Sequence, residues 1–395
     1  MQWKNPKIWR GIFSALFAFG ILWAAFGRSP SGTNQQPNYD LNALRSWLQE
    51  RDRFGPGLER RLRYEWQQRA LKSRQARERE VPLTAAPGDE RHPSWSPDGR
   101  FIAFSTNSED TNRNGRLDEK DGKGQRFRIW LMNPDGSNAR PAIPESDIPP
   151  NLPKGDELYP AWFSNSGAIA FVMKGSDGSY ICIANLSTSP VKVIQLTDKL
   201  EGVGRVSVGP SGTEIVFEQN GQIFLLRMID LSDPSKNQVK QLTSEGINRN
   251  PVYLPDGRIL YESNLDPTTG QPGTNFHIWI MDEEGQNPRP ITRGNQNDTD
   301  PAPIYPNTEL RRRGFLVAFA RGDVGNRDIF ISDQNGTVVR QVSPIGNQTD
   351  EYQPTVEPFP ALPNTSERIA FVTTRKGNED IWSISSIDIS PPMLS

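Results

Sequence analysis

The residues whose types and spacing best suit a chemical task lie in one polar segment of this 395-residue chain, at 110–121. Oxygen-bearing side chains stand at its first, third, fifth, ninth and twelfth positions, and glycine stands at its sixth. This spacing wraps a chain around a calcium ion, because alternate oxygens reach the ion and glycine permits the sharp bend. The seventh position binds through its backbone carbonyl, so an arginine is compatible there. The predicted Ca²⁺ ligands are Asp110, Asn112, Asn114, Arg116, Asp118 and Asp121.

This loop resembles the EF-hand loop and, more closely, the dockerin-type loop, which also ends in aspartate. Asn112 and Asn114 lower the ligand charge, which predicts the modest affinity of extracellular calcium modules. The flanking sequence has no strong helical pattern, so the loop is predicted to order a long insertion within a β-hairpin. The alternative is a polar turn rich in Asn, Asp and Gly that binds no metal.

Signals for catalysis are poor elsewhere in the chain. The two histidines, His92 and His277, are far apart in sequence, and both are predicted to be structural or solvated. Residues 209–212 (Gly-Pro-Ser-Gly) lack the spacing of a Gly-x-Ser-x-Gly nucleophile turn. The single cysteine, Cys182, lies in an alternating apolar run and is predicted to be a buried strand residue. The sequence therefore predicts a protein that is not an enzyme.

A recurring phrase organises most of the chain. Its clearest copy, residues 92–104, contains Trp-Ser-Pro-Asp-Gly, a tight-turn sequence, and ends in an apolar run of strand length. Each copy continues with a third apolar run such as Ile-Trp-Ile-Met (278–281), and all but the last add a fourth such as Val-Lys-Gln-Leu-Thr (239–243). Six units of four antiparallel strands, about 45–65 residues apart, predict a six-bladed β-propeller, an all-β fold.

The last copy lacks a fourth strand, since the chain stops soon after its third. Residues 81–84 (Val-Pro-Leu-Thr) resemble the other fourth strands and precede the first copy, so they are predicted to complete blade six. Closing the ring in this way removes exposed sheet edges. The alternative is an open array of β-meanders.

Residues 93–104 with 129–132, and residues 251–261 with 278–281, resemble the TolB-type β-propeller repeat, which is related to the WD repeat. The resemblance covers about 81–390. It implies a propeller that binds a protein or peptide through one face or its central tunnel. TolB itself carries an additional N-terminal α/β domain that this sequence lacks, so the resemblance supports the fold rather than a Tol–Pal partner. Trp95, Trp162 and Tyr253 are predicted to be core residues between blades.

Residues 1–80 differ from the rest in charge, with 15 Lys and Arg against 7 Asp and Glu, whereas the remainder has 30 against 40. Residues 11–27 are uncharged and apolar and follow three basic residues, which predicts a signal anchor or a signal peptide cleaved near Gly27. Residues 28–80 read as a linker and a basic, amphipathic α-helical arm. The arm's apolar stripe would pack within the protein or dock on a partner.

Three segments follow: 1–27 as anchor or signal, 28–80 as linker and arm, and 81–390 as propeller. Positive charges before the apolar segment place the propeller on the extracytoplasmic side, in the periplasm or its equivalent. The acidic propeller argues against a nucleic-acid partner. The predicted function is binding of a protein or peptide by a membrane-tethered propeller with a structural Ca²⁺ loop. The alternative is a protein that binds or processes saccharides or small ligands with carboxylates at the tunnel.

Overall fold

The computed structural model describes residues 80–304, 314–343, 349–358 and 367–387. The predicted anchor at 1–27 and nearly all of the linker and arm at 28–80 lie outside these residues. Within the described ranges, no helix combines the length and the apolar character needed to cross a bilayer.

The described residues form 24 β-strands in six four-stranded antiparallel sheets, the blades, together with two short 3-10 helices at Glu145–Asp147 and Pro234–Lys236. Strand β1 (Glu80–Pro82) precedes blade one, which contains β2 (Glu90–Trp95), β3 (Ile102–Glu109), β4 (Gly122–Met132) and β5 (Arg140–Pro141). Blade two contains β6 (Asp156–Trp162), β7 (Ala168–Lys174), β8 (Ser179–Asn185) and β9 (Lys192–Gln195). Blade three contains β10 (Val203–Val208), β11 (Glu214–Gln219), β12 (Gln222–Arg227) and β13 (Gln238–Gln241).

Blade four contains β14 (Asn248–Tyr253), β15 (Ile259–Leu265), β16 (Pro272–Met281) and β17 (Arg289–Pro290). Blade five contains β18 (Asp298–Ile304), β19 (Leu316–Arg321), β20 (Asp328–Asp333) and β21 (Val338–Gln341). Blade six contains β22 (Glu351–Val356), β23 (Glu367–Thr373) and β24 (Asp380–Ile387), with β1 as its fourth strand. The predicted all-β fold of six four-stranded blades is confirmed.

Strand β1 pairs antiparallel with β24, with Glu80 opposite Ile384 and Pro82 opposite Trp382. The strand ends at Pro82, earlier than the 81–84 segment expected from sequence. Leu83 and Thr84 follow it and donate backbone hydrogen bonds to the Ile381 carbonyl, at 2.8 and 3.1 Å. The start of the propeller sequence thus lies in the same sheet as its end.

The core lies between the blades. The second strand of every blade places a fully buried aromatic side chain at an equivalent position, and both faces of the sheet are covered there. Hydrophobic clusters cross blade boundaries, as where Ala103 and Ile129 of blade one pack with Phe171 of blade two. The buried aromatic residues are Phe104, Phe171, Phe217, Tyr261, Phe319 and Phe371.

The Leu-Thr phrase at the end of the fourth strands has a structural role. Its hydroxyl accepts a hydrogen bond from the first isoleucine N–H of the neighbouring third strand, in five of the blades. In blade one, a carboxylate from blade two, Glu157 Oε2, accepts from Ile129 N instead, at 2.9 Å. The hydroxyls belong to Thr197, Thr243, Thr292, Ser343 and Thr84.

Candidate functional site

The first strand of every blade shifts its register against the second strand, which marks a β-bulge. Aligning the blades on the buried aromatic residue of the second strand places one bulge residue per blade at the same position. Five of these six residues have a left-handed backbone, with φ between 49° and 55°. We call the six the bulge ring. They are His92, Tyr159, Arg205, Asn250, Asp300 and Gln353.

All six bulge-ring residues line one cavity of about 750 Å³ in the described part of the chain. This volume lies within the range of small-ligand sites. The cavity also contacts turns that join first and second strands, at Pro97, Asp256 and Pro358, and therefore lies toward that end of the propeller. The corresponding connections at 305–313 and 359–366, in blades five and six, lie outside the described residues.

The cavity wall is largely apolar. Three residues beyond each bulge residue stands a second ring, which we call the apolar ring. Trp95, Trp162 and Tyr253 of this ring are more than nine-tenths buried and belong to hydrophobic clusters, as the sequence predicted, and part of each also lines the cavity. The apolar ring consists of Trp95, Trp162, Val208, Tyr253, Pro303 and Val356.

His92 and Tyr159 contact each other within the bulge ring, with ring centroids 3.9 Å apart. The His92 Nδ1 atom is buried and has no hydrogen-bond partner among the described residues. Burial, together with the charges of Arg91 and Arg205, lowers the pKa of His92 to about 3. The imidazole is therefore neutral at physiological pH and is a poor proton donor there.

Two glutamates, one partly and one fully buried, interrupt the repeat directly after the buried aromatic of the second strand. This position is Glu218 in blade three and Glu262 in blade four, whereas the other blades have small or aliphatic residues there. Glu262 Oε1 accepts hydrogen bonds from Asn250 Nδ2 and from the Asp300 backbone N–H, both at 2.6 Å. Glu262 therefore fixes two neighbouring bulge-ring residues. The residues of the other blades are Ser105, Val172, Ala320 and Val372.

Both glutamates have raised pKa values. Burial, and next the charge of Asp300, raise the pKa of Glu262 to about 7, although Arg249 Nη2 lies 3.2 Å from its Oε2. Burial also raises the pKa of Glu218, which accepts a hydrogen bond from Asn250 N at 3.2 Å. Glu262 consequently carries less negative charge near neutral pH than an exposed glutamate does.

The two opposite charges of the bulge ring have different surroundings. Asp300 Oδ1 accepts from Asn250 Nδ2 at 3.3 Å, and its Oδ2 lies 3.7 Å from Arg327 Nη1. For Arg205, no described carboxylate oxygen lies within the 4.0 Å of an ion pair, and its Nη1 donates a long hydrogen bond of 3.5 Å to Pro301 O. Arg205 is thus a cation on the cavity wall without a direct counter-ion among the described residues.

The structure places all six predicted calcium ligands in one loop that joins β3 and β4, so they lie within a hairpin as the sequence suggested. Asp110 Oδ2 accepts from Gly115 N at 2.9 Å, and Gly115 has a φ of +73°. Asp118 accepts from the side-chain amides of Asn112 and Asn114, at 3.3 and 2.6 Å. Asp121 accepts from the backbone N–H groups of Thr111 and Asp118, and Arg116 N donates to Asn114 Oδ1.

The predicted ligands include three carboxylates and two amides, so amide oxygens are needed in the calcium shell besides the carboxylates and the Arg116 carbonyl. Among the described residues, no group of three or more His, Cys, Asp or Glu side chains is arranged to hold a metal ion. The side-chain amides of Asn112 and Asn114 donate N–H groups to Asp118. Rotation of each amide group would exchange its nitrogen for its oxygen, so that this oxygen and the Asp118 carboxylate could bind the same Ca²⁺ ion. The calcium site stays a prediction.

Sequence reasoning missed the bulge ring. The signal was present, since five bulge-ring residues directly precede the proline that opens each copy of the repeated phrase. Within that phrase, the position before proline varies between imidazole, phenol, amide and carboxylate, whereas the following residues recur. The glutamates Glu218 and Glu262 were missed because their neighbours in the folded protein belong to other strands.

No protein-family model matches the chain. One curated relative, the uncharacterized peptidase YuxL of Bacillus subtilis, is 25% identical over 194 residues, which make up 48% of this chain and 24% of the relative. TolB from Acinetobacter baumannii is 18% identical with a TM-score of 0.46, covering 65% of this chain and 54% of that one. A putative TolB from Agrobacterium tumefaciens is also 18% identical, with a TM-score of 0.45 over 66% of this chain and 83% of its own.

The chain is similar to TolB-type propellers. Its repeated phrase carries this likeness, and its own six four-stranded blades agree with it. A gluconolactonase from Xanthomonas campestris is also similar, at 9% identity with a TM-score of 0.45, over 78% of this chain and 89% of its own. The chain spans about a quarter of the curated relative and about half of the Acinetobacter TolB. These likenesses concern architecture, and propellers with different activities share it.

Proposed function

We propose that this protein is a non-enzymatic β-propeller that binds a segment of a protein partner in its axial cavity. The observation that carries the proposal is the contrast between a repeated frame and a non-repeated bulge ring. The six bulge residues share one backbone position but have six different side chains. A ring of this kind is asymmetric and can therefore fix one orientation of a ligand beneath an apolar wall.

The chemistry of the cavity supports binding rather than catalysis. His92 is neutral, and Glu262 is completely buried and does not line the cavity. The carboxylates that line it in the described residues are Asp256, which is bound by Arg258 at 2.6 Å, and Asp300, which is bound by Asn250. Neither is paired with a second lining carboxylate in the manner of an acid–base pair.

In this proposal the apolar segment 11–27 tethers the propeller to a membrane, on the extracytoplasmic side. The support is the sequence: an uncharged apolar stretch after three basic residues, at the start of a chain whose propeller is acidic. The loop at 110–121 orders its hairpin by binding Ca²⁺. Its support is the spacing of its oxygens and its position in a long connection of blade one.

The test is to fill the cavity. Ala161 lines it and is only partly buried, so Ala161→Trp is expected to occupy ligand space without disturbing the core. The full-length protein in mild detergent is probed with an array of random hexapeptides. We expect wild type to bind a related set of sequences and Ala161→Trp to lose them. Ser176→Trp, on an exposed turn that does not line the cavity, is the matched control and is expected to bind as wild type does.

A saccharide ligand is the second candidate. The observation in its favour is the presence of amide and carboxylate side chains at Asn250, Asp300 and Gln353, which suit sugar hydroxyl groups. An array of oligosaccharides, probed with wild type, Ala161→Trp and Ser176→Trp, distinguishes saccharide binding in the cavity from peptide binding. Saccharide binding that Ala161→Trp abolishes, with no peptide binding, would replace the protein-binding proposal. Cleavage of a bound saccharide would overturn its non-enzymatic part.

A further inference from the structure

We infer that Arg205 binds the carboxylate at the C-terminus of a peptide, so that the partner enters the cavity by its chain end. This inference rests on the proposed function and specifies its ligand. The inference depends on two observations: Arg205 lines the cavity, and the neighbouring arginines are already paired with carboxylates.

Arg205 stands at the bulge position of blade three, the blade whose repeated phrase lacks proline. Its side chain is partly buried and lines the cavity, and its Nη1 donates the long hydrogen bond of 3.5 Å to Pro301 O. Burial lowers the pKa of the guanidinium, and the charges of Asp300 and Glu262 offset this only in part. An arginine nevertheless stays protonated, so the cavity contains a poorly compensated positive charge.

The neighbouring arginines are already engaged by carboxylates. Arg327 forms two hydrogen bonds with Asp350, at 2.9 and 2.6 Å, and Arg249 pairs with Glu262. Arg91 pairs with Glu379. Compared with these residues, Arg205 has the guanidinium available for a carboxylate from outside, and the planar fork of a guanidinium matches a carboxylate with two parallel hydrogen bonds.

Asp300 does not prevent an anion from binding. Its carboxylate already interacts with Asn250 and Arg327, and its backbone N–H is held by Glu262. Tyr159, also on the bulge ring, lines the cavity and carries a phenolic hydroxyl, which is a hydrogen-bond donor. The cationic Arg205 and the hydroxyl-bearing Tyr159 therefore both lie on the side of blades two and three.

A peptide end fits this cavity better than a free small acid does. The apolar ring lies three residues along each strand from the bulge ring, toward the turns, and its aromatic and aliphatic surfaces suit apolar side chains. A chain that enters from the turns would place its last side chains against this ring and its terminal carboxylate beside Arg205. A polar saccharide would leave the same apolar wall without a complementary partner.

The test compares peptides that differ in one terminal group. The hexapeptides bound by the full-length protein are synthesised with a free C-terminal carboxylate and as carboxamides. We expect the carboxylates to bind at least about tenfold more tightly, as for a charge-assisted hydrogen bond. Arg205→Gln should bring the two forms to parity, and Arg205→Lys should keep part of the preference. Arg293→Gln, which removes an exposed arginine outside the cavity, should leave the preference unchanged.

The possible results separate this inference from the proposed function. Peptides that bind, are lost in Ala161→Trp, and show no carboxylate preference would overturn the role of Arg205 and leave cavity binding intact. A preference that survives in a folded Arg205→Gln variant would do the same. If no peptide binds, both proposals fail. Binding of oligogalacturonate in place of peptides, dependent on Arg205, would overturn the peptide as the source of the carboxylate.

Discussion

The Thr84 hydroxyl accepts a hydrogen bond from the Ile381 backbone N–H at 2.8 Å, although 297 residues separate the two in the chain. Four other blades make the same contact between a hydroxyl at the end of the fourth strand and an isoleucine of the third. Thr84 lies two residues beyond β1. The segment that precedes blade one therefore supplies blade six with both its fourth strand and the hydroxyl that follows that strand.

Replacing this hydroxyl should weaken the junction between the two ends of the propeller. Thr84→Val keeps the shape of the side chain but leaves the buried Ile381 N–H without its acceptor, which should lower the free energy of unfolding by about 1–3 kcal/mol. Urea unfolding measures the change. Thr268→Val, at an exposed turn, is the control and should have almost no effect. Equal stabilities of the two variants would show that the contact contributes nothing.

The boundary between blades six and one has an unusual charge arrangement. Between blades one and two, Arg128 Nε lies 2.6 Å from the buried Glu157 Oε1. At the equivalent positions between blades six and one, Asp380 faces Glu90, and both carboxyl groups are buried. Burial raises the pKa of Glu90 to about 8 and that of Asp380 to about 7, so protons must neutralise this pair.

Stability should consequently fall as the pH rises. Both carboxyl groups have folded-state pKa values above their ordinary 4.5 and 3.8, so the native state binds more protons than the unfolded state between about pH 4 and pH 8. The free energy of unfolding should decrease through this window and level off above it. Urea unfolding at several pH values tests this. Glu90→Gln should flatten the decrease, whereas Glu201→Gln, at an exposed site, should leave the profile as in wild type.

The ion pair between blades one and two should be costly to break. Glu157 is fully buried and binds both Arg128 and the Ile129 N–H. Glu157→Ala leaves a largely buried arginine without that partner, and we expect a loss of about 3–5 kcal/mol in unfolding free energy.

Glu145 provides a matched control, since its Oε2 lies 2.5 Å from Arg128 Nη1 but its side chain is 39% exposed. Glu145→Ala should cost at most about 1 kcal/mol. Comparable losses in the two variants would contradict the view that burial, rather than pairing alone, determines the cost.

The calcium loop has a direct thermal test. If the loop binds Ca²⁺, adding the ion should raise the melting temperature of the wild-type protein, because a ligand that binds the native state stabilises it. Asp110→Ala should abolish that rise. Asp135→Ala, which removes an exposed carboxylate from another turn of blade one, should retain it. A calcium response that is unchanged in Asp110→Ala would refute the site.

The blades could be predicted because their determinants are local. Turn residues such as those at 97–99 and apolar runs such as 102–104 lie within a few residues of each other, and the phrase recurs six times. The fourth strand of blade six was predicted from its likeness to the other copies, although its bounds moved by one residue at the start and two at the end. Strand ends depend on pairing with a distant strand, which the local pattern does not specify.

The sequence by itself determined the repeat, the number of strands per blade, and the position of the polar loop at 110–121. The tertiary structure alone decided which side chains meet at the axis. The bulge turns one residue of each first strand to a common cavity, and the partners of those residues lie on neighbouring blades, as Glu262 does for Asp300. Whether a charged side chain is paired or available for a ligand therefore depends on groups tens to hundreds of residues away. For this reason the sequence alone did not identify Arg205 as a cation on the cavity wall that is unpaired among the described residues.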